Sequence, residues 1–204
     1  MFGTSRTAAT VVALLAAGSL VLQFGSQWLD PTDPRGLGQV LWDNYRFFTI
    51  ITNTLVMILA GRVALTGRWP GASLPGGTTI WILAVGIVYH LLLSATHNPV
   101  GAEAWANQGL HTLVPLGFLL LWLGHAPKAP LTYGQSAVWT LCPLAYVGYA
   151  MGRASIDGVY PYFFLNPDKL GWGGVLVYVL GLGAAFFLAG CGLVWAARVL
   201  HRRS

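Results

Sequence analysis

Two side chains in this sequence are of the right type to do chemistry together: the hydroxyl of Thr49 and the imidazole of His111. His111 lies in the segment Trp105–Ala106–Asn107–Gln108–Gly109–Leu110–His111–Thr112, which opens an apolar run from Leu113 to Leu123. An ionisable group inside such a run is costly to bury, and it usually faces a bundle interior or a site. Polar residues gather near both positions. Arg46, Thr49 and Asn53 fall at i, i+3 and i+7, while Asn107 with His111 and His90 with Ser94 fall at i and i+4. On helices each set would share one face. A hydroxyl within reach of an imidazole is a nucleophile–base pair, because the ring takes the proton as the oxygen attacks a carbonyl carbon.

Each residue also has a purely structural reading. A membrane-helix Thr commonly bonds its own i−4 carbonyl, an Arg can snorkel to lipid phosphates, and Asn53 and Asn107 can join helices. His90 also reads as a hydrogen-bonded core histidine, and His97, His125 and His201 sit at ends or in loops. Cys142 and Cys191 lie in apolar segments without CxxC spacing and read as small packing residues. Two other function classes compete with hydrolysis. His90 and His111 could ligate haem or a metal, although no acid lies inside an apolar run to complete a ligand set. A small carrier or channel would need polar residues through its full depth, and the inner halves of the runs lack them beyond Arg62.

The elements that must position these groups are membrane helices. The chain is 55% apolar and only 8% charged, with a mean hydropathy of +0.63, outside the range of soluble domains. A helix needs roughly 20 apolar residues to cross a bilayer. The sequence predicts an all-α integral membrane protein, a single domain over 1–204, with six spans: Thr7–Leu29, Trp42–Leu65, Thr78–Thr96, Ala104–Gly124, Gln135–Gly152 and Leu170–Leu200. The first has Arg6 before an apolar core, as a signal peptide would, but that core is too long for one. Arg6, Arg62, Arg68, Lys128, Arg198, Arg202 and Arg203 fall at one set of alternating ends, against Arg35, Arg46, Arg153 and Lys169 at the other. The positive-inside rule then puts both termini in the cytoplasm. The net charge of +5 is therefore a topology signal and not a nucleic-acid footprint. Gly181, Ala185, Ala189 and Gly192 follow the small-residue spacing that lets helix backbones approach.

Depth matching supports the pairing. The second and fourth spans both run inward, from Trp42 and from Trp105, and Thr49 and His111 lie seven and six residues further on. At ~1.5 Å rise per residue, both sit roughly 10 Å below the outer interface. The pairing requires in addition that the two helices touch. The longest outer loop carries Val159–Tyr160–Pro161–Tyr162–Phe163–Phe164, an aromatic cluster of the kind that settles at interfaces.

At these residues the chain resembles the androgen-induced/androgen-dependent (ADTRP-like) family of transmembrane threonine hydrolases and their bacterial six-helix relatives. The resemblance rests on Arg46–Phe47–Phe48–Thr49, on Trp105-x-Asn107-x-Gly109-x-His111–Thr112 and on Val159–Tyr160–Pro161, in the family's order across most of the chain. Members of that family cleave fatty acid esters of hydroxy fatty acids. The resemblance thus implies Thr49 as nucleophile, His111 as base, a membrane lipid or fatty acyl ester as substrate, no cofactor and no metal, and a bacterial cytoplasmic membrane as location. On that mechanism Arg46 would receive the substrate's free carboxylate. Asn53, Asn107, Tyr160 or Tyr162 would donate to the oxyanion, with His90 lining the site. All six acids lie in loops, so an asparagine or a backbone carbonyl must orient the imidazole.

Overall fold

In the computed structural model residues 2–129 and 131–202 are described, and every regular element among them is helical. Arg203, one of the expected inner-end cations, lies outside the described residues. Among the described residues, four helices are long and apolar enough to cross a membrane: Thr4–Trp28, Phe48–Thr66, Ser73–Thr96 and Pro167–His201. The other two expected spans are helical as well, but more polar or interrupted. The expected fourth span is built of α5 (Gly101–Gln108), a π turn (Gly109–Leu113) and α6 (Val114–His125). The expected fifth is α7 (Gly134–Asp157), which carries Gln135, Ser136, Thr140 and Arg153. Where the sequence reads as a single domain, the chain divides into two compact units, Met1–Pro127 and Lys128–Ser204.

In the first unit α1 (Phe2–Trp28) lies along α3 (Phe48–Thr66) and reaches α5 and α6, and α4 (Ser73–Val88) packs against α3 and α6. The short α2 (Leu37–Asn44) rests on α1. It is pinned there by Asn44, whose Nδ2 donates to Gln27 Oε1 (2.6 Å) and whose Oδ1 accepts from Gln23 Nε2 (3.3 Å). α3 ends at Gly67, whose φ of 69° is open to glycine without strain. The guanidinium of Arg6 then donates to the last-turn carbonyls of Ala64 (2.9 Å) and Leu65 (3.2 Å), placing a cation at the negative end of the helix.

Two π turns interrupt the helices of this unit. Tyr89–Leu93 follows α4 and is continued by a 3₁₀ turn, Ser94–Thr96, while Gly109–Leu113 joins α5 to α6. Pro115 gives the second interruption a local cause. It has no N–H to donate to the His111 carbonyl, so the α ladder cannot run through this point unbroken. The π turn Gly109–Leu113 touches α1, α3 and α4. Glycines make that approach possible. A Cβ on Gly86 of α4 would lie 2.8 Å from the His111 carbonyl oxygen, and one on Gly109 would collide with the Ser19 hydroxyl and lie 2.8 Å from Ser19 Cβ.

The second unit pairs α7 with α8 (Pro167–His201) beside a 3₁₀ turn, Phe163–Leu165. Asn166 caps α8 by accepting from Asp168 N (2.8 Å), and Gly171 (φ 65°) breaks its first turns. The contact with α7 is not made by the expected stripe. Ala185 and Ala189 are exposed, and added Cβ atoms at Gly181 and Gly192 would meet nothing within 4 Å. Gly183 and Gly190 make it instead, Gly183 facing Leu144 and Gly190 lying against Ser136, whose hydroxyl donates to Phe187 O. The spacing identified a face of small residues, but the packed face is rotated from it.

Gly109→Ala is expected to destabilise the first unit by about 1–3 kcal/mol through overpacking against Ser19. Thermal unfolding in detergent micelles measures this, with Ser19→Gly and the double variant completing the cycle. The double variant should lose less than the sum of the single variants, because Ser19→Gly removes the Cβ in the way. Strict additivity would show that the two positions do not touch.

Candidate active site

Thr49 is the second residue of α3, and the start of that helix is set by a break that the sequence does not announce. The expected span Trp42–Leu65 is interrupted between Asn44 and Phe48. Continuation of α2 would require Phe47 N–H to bond the Asp43 carbonyl. That carbonyl instead accepts from Arg46 Nε (3.0 Å), and Phe47 N–H turns to Asn44 O (3.0 Å). Arg46 Nη2 also pairs with Asp43 Oδ1 at 2.9 Å, and Arg35 holds the other carboxylate oxygen at 3.2 Å. Arg46 is only 6% exposed. It therefore does not share the α3 face of Thr49 and Asn53; its guanidinium is drawn back to Asp43 and shapes the break. Counting turns down from Trp42 fails for the same reason. What the break does is bring Thr49 into the first turn of a helix, where N–H groups lack carbonyl partners within their own helix.

The π turn Gly109–Leu113 carries His111 to this point. Thr49 Oγ1 lies 3.3 Å from His111 Nε2. On the far side of the ring, Nδ1 lies 3.1 Å from the backbone carbonyl of Asn107. A carbonyl only accepts, so Nδ1 carries the proton of a neutral imidazole and Nε2 is left as an acceptor. The network thus assigns the tautomer and makes Thr49 the donor. Apolar neighbours fix the two residues from below. Ile50, next to Thr49, and Leu110, next to His111, form one buried cluster with Leu20 of α1, packed about by Phe24, Tyr45, Phe47 and Met57.

Asn53 is fully buried (0% exposed), and its Nδ2 donates both to Thr49 O (2.8 Å) and to Leu110 O (3.2 Å). Both N–H bonds are committed, so Asn53 ties α3 to the His111 turn and has no donor left for an oxyanion. Asn107 acts twice: its carbonyl orients His111, and its Nδ2 donates to Tyr89 Oη (2.8 Å). Tyr89 stacks on the His111 ring, with centroids 3.9 Å apart and planes 21° from parallel. His97, read from sequence as a loop histidine without a role, places Nδ1 3.4 Å from the same tyrosine oxygen.

His90 reaches a different hydroxyl. Its Nε2 lies 3.0 Å from Thr112 Oγ1, which donates to Gln108 Oε1 (3.1 Å), so His90 is the donor to Thr112. Ser94 Oγ donates to the His90 carbonyl (3.0 Å), a local backbone bond. Nε2 of His90 and Nε2 of His111 therefore point at separate partners. Among the described residues no group of three or more His, Cys, Asp or Glu side chains is placed to hold a metal. Tyr160 and Tyr162 belong to the second unit. There Tyr162 stacks on Phe164 with centroids 5.0 Å apart, within an aromatic cluster that includes Tyr146, Phe163 and Tyr178. The residue that sequence reasoning passed over is Tyr89. Its available signals were its place beside His90 and three residues after Gly86.

Removal of the Asn53 amide tests its joining role. Asn53→Leu leaves the Leu110 carbonyl buried without its donor and should lower stability by about 1–3 kcal/mol, read from denaturant or thermal unfolding in micelles. Unchanged stability would contradict the assignment. No family model, no curated protein and no solved structure matches this chain.

Proposed function

We propose that the protein is an intramembrane lipid ester hydrolase of the threonine type, with Thr49 as nucleophile and His111 as general base, acting on fatty acid esters of hydroxy fatty acids. The observation that carries this reading is the 3.3 Å approach of Thr49 Oγ1 to His111 Nε2, with Nδ1 held on a carbonyl. As Oγ1 bonds to the ester carbonyl carbon, its proton passes to Nε2. The bond to the hydroxy fatty acid then breaks, and the departing oxygen takes that proton from Nε2. Water repeats the sequence on the acyl-threonine, releasing a free fatty acid and restoring the hydroxyl. The first turn of α3 would favour the developing oxyanion through its positive dipole end, a role the committed amide of Asn53 does not fill.

The reading includes six crossings of a bacterial cytoplasmic membrane with both termini inside. Its support is the sorting of Arg and Lys to one set of ends, and the exposure of Trp42 and Trp105 where interfacial aromatics would lie. α5 with α6 would form the fourth crossing and α7 the fifth. The dyad would then sit in the outer leaflet, and a lipid substrate would enter laterally with its ester at the depth of Thr49.

Thr49→Ala and His111→Ala are each expected to lower hydrolysis of a fatty acyl ester by about 10³-fold or more in protein that still melts cooperatively. A fluorophosphonate probe should label Thr49, located by peptide mass spectrometry. Labelling that survives Thr49→Ala would move the nucleophile elsewhere and sink the assignment. The topology has its own check. In a background with Cys142 and Cys191 replaced by Ser, Asp30→Cys and Asp157→Cys should react with an impermeant maleimide from outside intact cells, while Arg68→Cys should react only after lysis. The reverse pattern would invert the orientation, and any mixed pattern would refute six crossings.

A further inference from the structure

We propose that Tyr89 is a positioning residue for His111: its ring clamps one face of the imidazole, so that Nδ1 stays on the Asn107 carbonyl and Nε2 stays on Thr49. The inference rests on the hydrolase reading for its kinetic consequence, but the clamp itself is a matter of geometry. Tyr89 is buried (6% exposed) and lies face to face with His111 at 3.9 Å between centroids. Its hydroxyl accepts from Asn107 Nδ2 (2.8 Å) and faces His97 Nδ1 (3.4 Å). Asn107 therefore grips both layers of the stack, the imidazole by its backbone and the phenol by its side chain. Gly86, one turn before Tyr89, gives α4 the room to come this close, since a Cβ there would meet the His111 carbonyl at 2.8 Å.

The clamp has two physical effects. An imidazole held only by hydrogen bonds at its two nitrogens can still rock about its Cβ–Cγ bond, and a shift of about 1 Å at a reacting atom can lower a rate by about 100-fold. A flat face against the imidazole removes that freedom. In addition, an aromatic face attracts a cation, so the imidazolium formed when His111 takes the Thr49 proton is stabilised where no carboxylate bonds to Nδ1. Both effects come from the ring, and neither requires the phenol oxygen to touch substrate. Tyr89→Phe should therefore preserve most of the function that Tyr89→Leu removes.

The test uses the full chain in micelles with ¹⁵N-labelled histidine, the His111 signals being assigned by their loss in His111→Gln. Wild-type protein and Tyr89→Phe should show His111 predominantly as the Nδ1–H tautomer, and Tyr89→Leu should show averaging of the two ring nitrogens. With a p-nitrophenyl fatty acyl ester, Tyr89→Leu should lower kcat by about 10- to 100-fold with KM changed less than about threefold, while Tyr89→Phe stays within about threefold of wild type. Tyr89→Met, which fills more of the space, carries the same comparison if the leucine variant does not fold. Thr49-dependent hydrolysis with kcat and tautomer unaltered in the leucine or methionine variant would overturn the clamp and leave the hydrolase reading standing. Absence of hydrolysis in wild type, with tautomer averaging in Tyr89→Leu, would do the reverse.

Discussion

A neutral imidazole has one proton, and where that proton sits decides what the other nitrogen can do. The 3.1 Å approach of His111 Nδ1 to the Asn107 carbonyl fixes it, because that oxygen can only accept. The rest of the candidate site follows from this one bond. Nε2 becomes a lone-pair acceptor, Thr49 becomes its donor, and the pair acquires a direction of proton transfer. Rotation of the ring by half a turn would put Cδ2 and Cε1 where Nδ1 and Nε2 stand and break both of these hydrogen bonds. The packing that blocks rotation is therefore as much a part of the candidate site as the hydroxyl and the imidazole that meet there.

In lipid, apolar side chains gain little from leaving solvent that is itself apolar, so helix association relies on close van der Waals contact and on hydrogen bonds between helices. The first unit uses both around His111. Gly109 admits Ser19 of α1, and Gly86 lets α4 meet the His111 carbonyl. Asn53 bonds across to Leu110 O, and Ile50 and Leu110 meet Leu20 in one cluster. Three helices thus converge on a five-residue turn. π turns recur at functional sites because they displace side chains from the regular helical register; here the displacement is stabilised from three sides.

Composition and period made the helices legible, and an imidazole at the start of an apolar run, with Thr49 matched to it by depth and by the family resemblance, made the pair legible. The route to the pair was flawed even so. Depth matching assumed an unbroken helix below Trp42, whereas the chain breaks between Asn44 and Phe48. No Pro or Gly marks that break; it is made by Arg46 bonding the Asp43 carbonyl that a continuing helix would have used, a competition invisible to periodicity. Asn53 was recognisable as a polar residue on the right face, but sequence does not reveal that its two N–H bonds are consumed. Pro115 hinted at a ladder defect after His111, while nothing comparable marks the π turn Tyr89–Leu93. Tyr89 stayed hidden because an aromatic residue in an apolar run is the commonest kind of packing residue, and only its places beside His90 and three residues after Gly86 set it apart.

The absence of an acid behind His111 has an energetic logic. A buried carboxylate would orient and support an imidazolium strongly, but desolvating that charge in an apolar interior carries a penalty of several kcal/mol. The six acids, expected in loops, instead include four at helix ends (Asp43, Glu103, Asp157 and Asp168), with Asp30 and Asp33 between α1 and α2, and Asp43 is balanced by Arg35 and Arg46. A backbone carbonyl orients the ring with a partial charge that costs far less to bury, and an aromatic face supports the cation only once it forms. The first turn of α3 contributes the complementary positive end. A dyad assembled this way is neutral at rest, and charge appears only while a proton is moving. For the proposed hydrolase, that arrangement would concentrate electrostatic stabilisation on the transition state and spend little of it on the resting protein.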